Sequence, residues 1–424
     1  MLDIKRIRED PESVRAALAR RDPALGEQLD EVLAKDEQWR AATASAEGLR
    51  AQQREQSEQL AQARKRSEDV QEHQEQMRHM SAQVKELTER ARVAQEERQQ
   101  ALAALPNTPH ASAAEGPEDE VVREVGEIPK LGFEPRDHLQ LAGAMIDTER
   151  AAKLSGSRFA YLKGDLVTVE LALVAWALAK LRTLGFEPVI PPALARERAL
   201  YGTGFLPDTE QQIYSLSEDD LYLIGTSEVA LASLHDDEIV PAGLLPLRYA
   251  GFSPCFRREA GAAGKDTRGI FRVHQFDKVE MFSFVAPEDS PAEHERILAI
   301  EEEILQELGL PYRVVNIAVG ELGSSAAKKY DCEAWIPSQG RYRELTSCSD
   351  TTDYQARRLN IRMRSERGTR SLHTLNGTAV AVGRTLIALL ENGQQEDGTV
   401  QLPQALAPHG APAQLRATAA GAEK

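Results

Sequence analysis

Residues 256–276 read FRREAGAAGKDTRGIFRVHQF, and the chain continues to residue 285 with DKVEMFSFV. The glycine-rich middle, residues 259–269, predicts a loop, and the runs on either side predict strands over residues 247–257 and 270–285. Charged side chains on such strands are costly to bury unless they face a ligand or one another. This stretch therefore predicts a β-hairpin that carries charged groups to a binding site.

Glu280 is the most informative charge on the second strand. Alternation along a strand puts Glu280 on the same face as Phe282 and Phe284. A carboxylate on an apolar face is either paired with a basic side chain or used to bind a substrate.

Other charges of this kind follow farther along the chain. Glu344 lies on a predicted strand over residues 342–349, and Arg384 stands at the start of a predicted helix over residues 382–392. Arg257 and Arg272 flank the glycine-rich loop. Together, the arginines, the loop and the strand carboxylates predict a site for a polyphosphate with a divalent ion.

The N-terminal quarter of the chain is different in kind. Between Pro23 and Pro106 there is no proline, and the residues are mostly good helix formers. Positions 70, 73, 77, 80, 84, 87, 91, 94, 98, 101 and 105 are mostly apolar, at the spacing of a coiled-coil seam. A looser stripe precedes them, and the charged run 64–69 lies between the two. This predicts an antiparallel helical hairpin with arms of about 60 Å; a continuous helix that dimerises in parallel is the alternative.

The sequence also predicts the segments around these elements. Residues 106–117 are rich in proline and small polar residues and predict a linker. Residues 165–183 predict a helix, and residues 185–192 predict a short strand closed by prolines. The chain after Pro403 is rich in alanine and proline and is expected to fray.

Composition excludes several classes of protein. The chain has 424 residues, three cysteines without a C-x-x-C pair, a mean hydropathy of −0.43 and no apolar run of about 20 residues. Its N-terminus is charged and has no apolar segment, so we expect no secretory signal. We expect a cytoplasmic protein with no membrane association and no structural zinc. The net charge of −16 is compatible with nucleic-acid binding because two basic patches are present, at residues 64–66 and 357–370.

Common catalytic motifs are absent from the sequence. The spacing of Gly261, Gly264 and Lys265 does not match a P-loop, and there is no dinucleotide fingerprint after Gly202. There is no H-E-x-x-H or G-x-S-x-G motif, and the nine histidines do not cluster. Covalent or histidine-based catalysis is therefore not indicated.

Seven segments resemble one known family. Residues 185–192, 256–276 and 377–384 are similar to the first, second and third signature motifs of class II aminoacyl-tRNA synthetases. Residues 225–228, 321–330, 344–349 and 373–378 are similar to seryl-tRNA synthetases of the bacterial type. The resemblance covers roughly residues 1–405, and the helical arm fits the same family.

The resemblance implies an α+β fold, in which an N-terminal antiparallel helical hairpin precedes a catalytic domain with an antiparallel sheet flanked by helices. It implies a tRNA-binding domain over residues 1–105, a linker over 106–120, a catalytic domain over 121–405 and a flexible tail over 406–424. It also implies a homodimer whose interface uses the first motif, with tRNA bound across both subunits.

The implied activity is that of a serine–tRNA ligase. L-Serine and ATP would form seryl-adenylate, and the seryl group would pass to the 3′ end of tRNA(Ser), and of tRNA(Sec) where the host has it. The implied serine-binding residues are Thr226, Ser227, Glu228, Arg257, Glu280 and Thr378. The implied ATP-binding residues are Arg257, Arg258, Glu259, Val273, Phe276, Glu344, Leu345, Thr346, Ser347 and Arg384.

More specific roles also come from the resemblance. Glu344 and Ser347 would hold Mg²⁺. Phe276 and Arg384 would stack on opposite faces of the adenine, whose amino group Glu259 would bind. The tip of the arm, Arg64, Lys65 and Arg66, would contact tRNA.

Two other functions are compatible with the sequence. One is a class II-like paralogue that activates an amino acid and charges a carrier protein or nothing. The other is a coiled-coil interaction protein whose globular part is an inactive scaffold. The basic-tipped arm argues against the first, and the intact charged residues on the strands argue against the second.

Overall fold

The computed structural model describes residues 1–66, 71–207, 212–260, 264, 266, 268–366 and 368–416. The chain divides into two compact units, one ending at Thr108 and one beginning at Pro109. In the first unit, the helices are α1 (Ile4–Glu9), α2 (Pro11–Ala19), α3 (Leu25–Lys65) and α4 (Gln71–Ala104). The Asp3 carboxylate accepts from Lys5 N at 2.8 Å to cap α1, and that of Asp10 accepts from Ser13 N at 3.0 Å to cap α2.

The two long helices, α3 and α4, run antiparallel, so the hairpin prediction is confirmed. Arg50 donates to the Thr88 hydroxyl at 2.9 Å, and Gln53 donates to the Ser81 hydroxyl at 2.8 Å. Residue numbers thus rise along one helix as they fall along the other. This register excludes the alternative of one continuous helix.

The predicted seam mostly agrees with the burial of α4. Its members from Met77 to Leu105 are half-buried or buried, whereas His73 is exposed and its neighbour Gln74 takes the inward position. Val70 and most of the predicted turn, residues 67–69, lie outside the described residues.

A buried carboxylate interrupts the apolar stripe of α3. Asp36 is 1% exposed and accepts two hydrogen bonds of 2.7 Å from Arg8, one of 3.0 Å from Arg40 and one of 3.3 Å from Arg98. The Arg98 guanidinium also lies 3.7 Å from the centre of the Trp39 ring. Burial alone would raise the pKa of Asp36, but the three arginines lower it below its usual value.

The second unit contains the remaining helices and all the described strands. The helices are α5 (His138–Ala142), α6 (Thr148–Ser155), α7 (Asp165–Thr183), α8 (Glu197–Thr203), α9 (Glu228–Ala232), α10 (Ser290–Glu307), α11 (Tyr354–Arg358) and α12 (Val382–Asn392). The strands are β1 (Glu120–Val125), β2 (Ile146–Asp147), β3 (Tyr161–Leu162), β4 (Glu187–Val189), β5 (Leu194–Ala195), β6 (Tyr214–Leu216), β7 (Leu221–Leu223), β8 (Ile239–Val240), β9 (Leu247–Phe256), β10 (Gln275–Val285), β11 (Tyr312–Asn316), β12 (Lys328–Ile336), β13 (Arg341–Asp350), β14 (Arg362–Ser365), β15 (Gly368–Ser371), β16 (His373–Ala381), β17 (Thr399–Gln401) and β18 (Gln414–Arg416).

The main sheet has the order β1-β11-β12-β13-β16-β10-β9-β4. Its neighbouring strands are antiparallel except for the parallel pair β4–β9 at one edge. Helices flank it, so the predicted α+β class is confirmed. Within the described residues, no helix is both long and apolar enough to span a bilayer.

The predicted hairpin of β9 and β10 is present, but its second strand begins at Gln275 rather than residue 270. Two of the five preceding residues donate to other segments: Ile270 N to the His138 ring at 3.3 Å, and His274 N to the Arg158 carbonyl at 3.0 Å. Beyond the two strands, only the contact between Arg257 and His274 extends the pairing among the described residues.

A glycine on β16, Gly377, lets helix α10 pack closely on one face of the strand. A Cβ at Gly377 would lie 2.3 Å from Ile297 of α10, so the helix packs directly on this backbone. By alternation, Asn376 and Thr378 point to the opposite face, where they bond Glu280. The close helix contact therefore leaves the other face of the sheet available for a site.

Two boundary predictions need correction. From residue 109, the predicted linker packs against the second unit, where His110 N donates to the Ala327 carbonyl at 2.8 Å and Ala113 is buried beside Val315. Residues 406–416 are not a fraying tail, because the chain from Gln404 forms a 3₁₀ turn and β18 then pairs with β17. Leu406 and Leu415 are buried there and hold the segment down. Residues 417–424 lie outside the described residues.

We expect Asp36→Ala to lower the free energy of unfolding by about 2 kcal/mol, because it leaves three arginines without their shared counter-charge. The loss should be smaller than for a fully buried pair, since Arg8 and Arg40 keep partial contact with water. The native pKa lies below the unfolded one, so this stabilisation is complete above about pH 4 and is lost as the pH falls further. Urea denaturation of the full chain, followed by far-UV circular dichroism at several pH values, measures both effects.

Asp30→Ala is the matched control, because Asp30 also pairs with an arginine, Arg15, but its side chain is 61% exposed. It should leave the unfolding curve nearly unchanged. Equal losses in the two variants would show that the buried cluster does not stabilise the hairpin.

Candidate active site

A cleft in the second unit has two chambers, with volumes of about 600 Å³ and 230 Å³. The strands β9, β10, β13 and β16 supply much of its floor. Residues that line both chambers are Arg257, Glu259, Arg272, Lys278, Lys329, Ser347 and Thr378. The two chambers therefore form one continuous site.

Two carboxylates lie side by side in the larger chamber. Glu228 is 8% exposed and Glu280 is 1% exposed. The Asn376 amide donates to both, at 3.3 Å to Glu228 and 3.2 Å to Glu280. Thr378 donates to Glu280 at 3.3 Å, and the Gln355 amide donates to Glu228 at 2.7 Å. Each acid is thus held by neutral donors on neighbouring elements.

The charges of this chamber favour a further cation. Lys278 forms an ion pair with Glu280. The pKa of Glu228 is raised to about 7, first by burial and then by the nearby charge of Glu280, while Gln355, Lys278 and Arg257 oppose the rise. A ligand with an ammonium group would supply the positive charge that Glu228 lacks.

Arg257 connects the two chambers at the end of β9. Its Nε donates to the Gly225 carbonyl at 3.1 Å, and its backbone N donates to the His274 carbonyl at 3.0 Å. Its guanidinium lies 5.3 Å from the centre of the Phe276 ring. Because it lines both chambers, it is placed to contact an anionic group that spans them.

The smaller chamber is built around arginine–aromatic contacts. The Phe271 ring has the Arg343 guanidinium 3.8 Å from its centre and that of Arg384 at 4.8 Å. Phe276 also lines this chamber, with Arg257 as its cationic neighbour. Flat aromatic and guanidinium surfaces of this kind suit a planar ring ligand.

Glu259 closes the chamber from the loop side. Its backbone is in the left-handed region with φ of +51°, and its carboxylate accepts from Arg272 at 2.5 Å. Val273 follows Arg272 and lines the smaller chamber as an almost buried apolar residue.

Glu344 and Ser347 bring hard oxygen atoms to the smaller chamber. Burial alone would raise the pKa of Glu344, but the charges of Arg384, Lys329 and Arg257 lower it, so the group is ionised at neutral pH. Among the described residues, no group of three or more His, Cys, Asp or Glu side chains is placed to hold a metal. A carboxylate and a hydroxyl fit Mg²⁺, which usually keeps several waters and binds through one or two carboxylates together with substrate phosphates.

The structure brings most of the sequence-predicted residues into this cleft. They are Thr226, Glu228, Arg257, Glu259, Val273, Phe276, Glu280, Glu344, Leu345, Ser347, Thr378 and Arg384. They lie up to 158 positions apart along the chain, from Thr226 to Arg384, and the adjacency of β9, β10, β13 and β16 brings them together.

Three predicted residues do not line the cleft. The Ser227 hydroxyl points into the core, where it lies 2.8 Å from the Ser253 hydroxyl. The Thr346 hydroxyl donates to Glu301 on the reverse face of the sheet at 2.9 Å, because a bulge beside Leu345 shifts the alternation of β13. The Arg258 side chain is exposed, and its backbone N donates to the Gln212 carbonyl.

Sequence reasoning missed several cleft residues. Lys278 lies two residues before Glu280, and Asn376 two before Thr378, so the same alternation could have found both. Lys329 belongs to a segment that the resemblance already covered. Gln355 bears on the site from α11, and no local pattern in the sequence indicates it.

Comparisons with known proteins agree with this geometry. Residues 1–109 match the model of the seryl-tRNA synthetase N-terminal domain, and residues 212–393 match that of the class II tRNA synthetase core domain (G, H, P, S and T). A serine–tRNA ligase of Acidothermus cellulolyticus is 50% identical over 412 residues, covering 96% of this chain and 97% of that protein. One from Streptomyces coelicolor is also 50% identical, with the same coverage.

Solved structures show the same similarity. The seryl-tRNA synthetase of Pyrococcus horikoshii, complexed with ATP, superposes with a TM-score of 0.92 at 42% identity, covering 99% of this chain and all of that chain. The cytoplasmic serine–tRNA ligase of Naegleria fowleri, in complex with AMP, gives 0.86 at 33% identity, covering 99% of each chain.

The pairing of Lys278 with Glu280 can be tested by a double-mutant cycle. We expect Lys278→Met to lower the free energy of unfolding by about 3 kcal/mol, because it leaves Glu280 beside Glu228 without a counter-charge. The double variant Lys278→Met/Glu280→Gln should recover most of that loss, since residue 280 no longer carries a charge without its partner. Denaturant unfolding of the wild type, both single variants and the double variant gives the coupling energy. Strictly additive losses would show that the ion pair does not stabilise the sheet.

Proposed function

This chain belongs to the seryl-tRNA synthetase family and catalyses the ligation of serine to tRNA with ATP, and we propose that the two-chambered cleft holds both steps of that reaction. In the first step, the serine carboxylate attacks the α-phosphorus of ATP and pyrophosphate leaves. In the second, a terminal ribose hydroxyl of tRNA attacks the seryl carbonyl and AMP leaves. The observation that carries the proposal is the placement of two buried carboxylates beside Arg257, which joins the chambers.

Serine occupies the floor of the larger chamber in this proposal. Its ammonium group binds Glu228, with the Thr226 hydroxyl beside it. Its hydroxyl group meets Glu280 and Thr378. Lys278 already pairs with Glu280, and this ion pair has a structural role. The carboxylate of Glu280 has further lone pairs, so it can also accept a hydrogen bond from the ligand.

ATP occupies the smaller chamber, with its α-phosphate at Arg257. The adenine lies against the arginine–aromatic wall that contains Phe276 and Arg384, and Glu259 lies near its amino group. Glu344 and Ser347 hold Mg²⁺, which neutralises phosphate charge when bound. Because serine's own carboxylate is the nucleophile, the protein needs no covalent intermediate. Arg257 contributes by stabilising the charge that develops on the α-phosphate.

The first unit binds tRNA(Ser), and tRNA(Sec) where the host has it. Arg64, Lys65 and Arg66 are exposed at the end of α3, as residues that bind phosphates must be. All residues that line the cleft belong to the second unit. We therefore assign tRNA binding to the hairpin and activation to the second unit.

A homodimer with tRNA contacting both subunits completes the proposal. Leu171 of α7 is 61% exposed, and Ile190 after β4 is 81% exposed. Ile190 lies within the first motif, where the resemblance predicts the interface, and Leu171 lies on the helix that precedes it. Large exposed apolar side chains often mark such surfaces. We place the reaction in the cytoplasm, where charged tRNA is used.

Serine-dependent exchange of pyrophosphate into ATP, followed by charging of total tRNA, tests the proposed function. Exchange separates an active synthetase from an inactive scaffold. Charging of tRNA separates a tRNA ligase from a paralogue that acts on another carrier. Absence of both activities in the folded wild type would contradict the proposal.

Serine selectivity should depend on Glu280. We expect Glu280→Ala to raise the KM for serine strongly, to leave that for ATP within a few-fold and to narrow the preference for serine over alanine. A site that hydrogen-bonds a substrate hydroxyl can reject the analogue without it by about 10⁴-fold. Exchange assays with each amino acid measure all three quantities.

Glu301→Gln is the matched control, because Glu301 is fully buried on the reverse face of the same sheet. It should leave the serine-to-alanine ratio unchanged. An unchanged ratio in Glu280→Ala would mean that selectivity resides elsewhere, with Thr378 the next residue to test.

The hairpin of α3 and α4 should be required for tRNA charging and not for the activation of serine. The sequence alone suggests deleting residues 30–100, but that deletion would remove the Asp36 cluster. We therefore choose residues 46–91. The antiparallel register of α3 and α4 allows this segment to be replaced by a short glycine-containing turn. We expect serine-dependent exchange to stay largely intact and tRNA charging to be abolished. Charging at the full rate by the folded deletion variant would contradict the assignment.

Charge reversal of Arg64, Lys65 and Arg66 to glutamate tests the tip specifically. It should raise the KM for tRNA by about tenfold or more and weaken its salt dependence. Reversing the charges of the exposed Lys130 and Lys153 of the second unit is the matched control. It should change neither the KM for tRNA nor its salt dependence.

A further inference from the structure

Gln355 is a fully buried polar residue whose role the reaction scheme above does not explain. It lies on α11 and is 0% exposed. Its side-chain nitrogen donates to the Glu228 carboxylate at 2.7 Å and to the Thr203 carbonyl at 3.1 Å. Its side-chain oxygen accepts from the Thr374 hydroxyl at 2.9 Å, and the Thr351 hydroxyl lies 3.4 Å from it. Both ends of the amide are therefore engaged.

The chemistry of the partners determines the orientation of this amide. A carboxylate and a carbonyl can only accept hydrogen bonds, so the nitrogen must face Glu228 and Thr203. The two threonine hydroxyls can donate, and they lie on the oxygen side. The reversed amide would set its oxygen against two acceptors in a buried site, which is strongly unfavourable.

The threonines are themselves held in place. The Thr351 hydroxyl donates to the Thr374 carbonyl at 2.7 Å and lies 2.6 Å from the Thr374 hydroxyl. Thr374 belongs to β16, the strand that also carries Asn376. The other oxygen of Glu228 accepts from Asn376, so α11 and β16 hold the two ends of one carboxylate.

Glu228 needs such support because it must be charged to bind an ammonium group. Burial and the charge of Glu280 both favour its neutral form. The groups that oppose them are Lys278 on β10, Arg257 at the end of β9 and the amide of Gln355. Of these, Gln355 gives Glu228 a hydrogen bond of 2.7 Å, and within the described part of the chain it donates to no other carboxylate.

We infer that Gln355 is a positioning residue for amino-acid binding: it orients Glu228 toward the substrate ammonium and keeps that carboxylate in its charged form. This inference rests on the proposed function, in which Glu228 binds the serine ammonium. Gln355 acts through Glu228 and lines neither chamber of the cleft.

The test compares Gln355→Met with Gln394→Met in the full-length protein. Gln394 is also buried, and its amide bonds backbone groups at Arg136 and Glu391 rather than a cleft residue. We expect Gln355→Met to raise the KM for serine about 10- to 100-fold, because the variant loses one hydrogen bond to a charged group. The KM for ATP should stay within about twofold, and Gln394→Met should change neither constant.

The pH dependence provides a readout that a merely structural role would not change. Without the hydrogen bond from Gln355, Glu228 takes up a proton more readily. The KM of Gln355→Met for serine should therefore rise further above the wild-type value as the pH falls from about 8.5 to 6.5. Gln355→Glu should show the opposite trend. Its introduced carboxyl can donate to Glu228 only when protonated, so this variant should approach wild type as the pH falls over the same range.

Each outcome decides the inference. An unchanged serine KM in folded Gln355→Met, or equal increases for serine and ATP, would overturn it. If Gln355→Met does not fold, the direction of the pH trend in Gln355→Glu decides, and a flat profile overturns it. Wild-type protein without serine-dependent exchange would instead show that the proposed function has failed.

Discussion

The ion pair between Lys278 and Glu280 is the interaction on which the cleft depends. Both side chains lie on one face of β10 and are almost completely buried, at 8% and 1% exposure. Farther along the same face, Phe282 and Phe284 are fully buried, so water is a poor partner for either charge there. Two charges in such a place persist only if they neutralise each other and find further hydrogen bonds, and Asn376 and Thr378 of β16 supply these for Glu280.

This requirement organises the neighbouring strands. It needs β16 beside β10 at the register that pairs Glu280 with Thr378, and it needs an element that holds Glu228 against the same amide. The reverse face follows a different rule. There Glu301 is fully buried, and burial raises its pKa well above the usual value. The acids on the ligand-binding face thus have cationic neighbours, Lys278 and Arg257, whereas Glu301 behind the sheet accepts from the Thr346 hydroxyl.

Much of the fold and part of the site could be predicted because they depend on local periodicity. The helix predicted over residues 165–183 is α7 (Asp165–Thr183), and the face shared by Glu280 and Phe282 follows from strand alternation alone. The predictions failed where a local rule is interrupted. Thr346 turned to the reverse face because of a bulge, and Ser227, which precedes α9, turned into the core toward the Ser253 hydroxyl of β9.

The sequence by itself determined the helical hairpin, the β9–β10 strand pair and the residue types of a phosphate and amino-acid site, since each follows from spacing within a short segment. Only the tertiary structure decided the partners of the charges. Lys278 proved to be the partner of Glu280, Asp36 proved to join three arginines, and Gln355 proved to support Glu228 from 127 residues away. The physical reason is that burying a charge is unfavourable until a partner arrives, and such partners come from elements whose adjacency exists only in the folded chain.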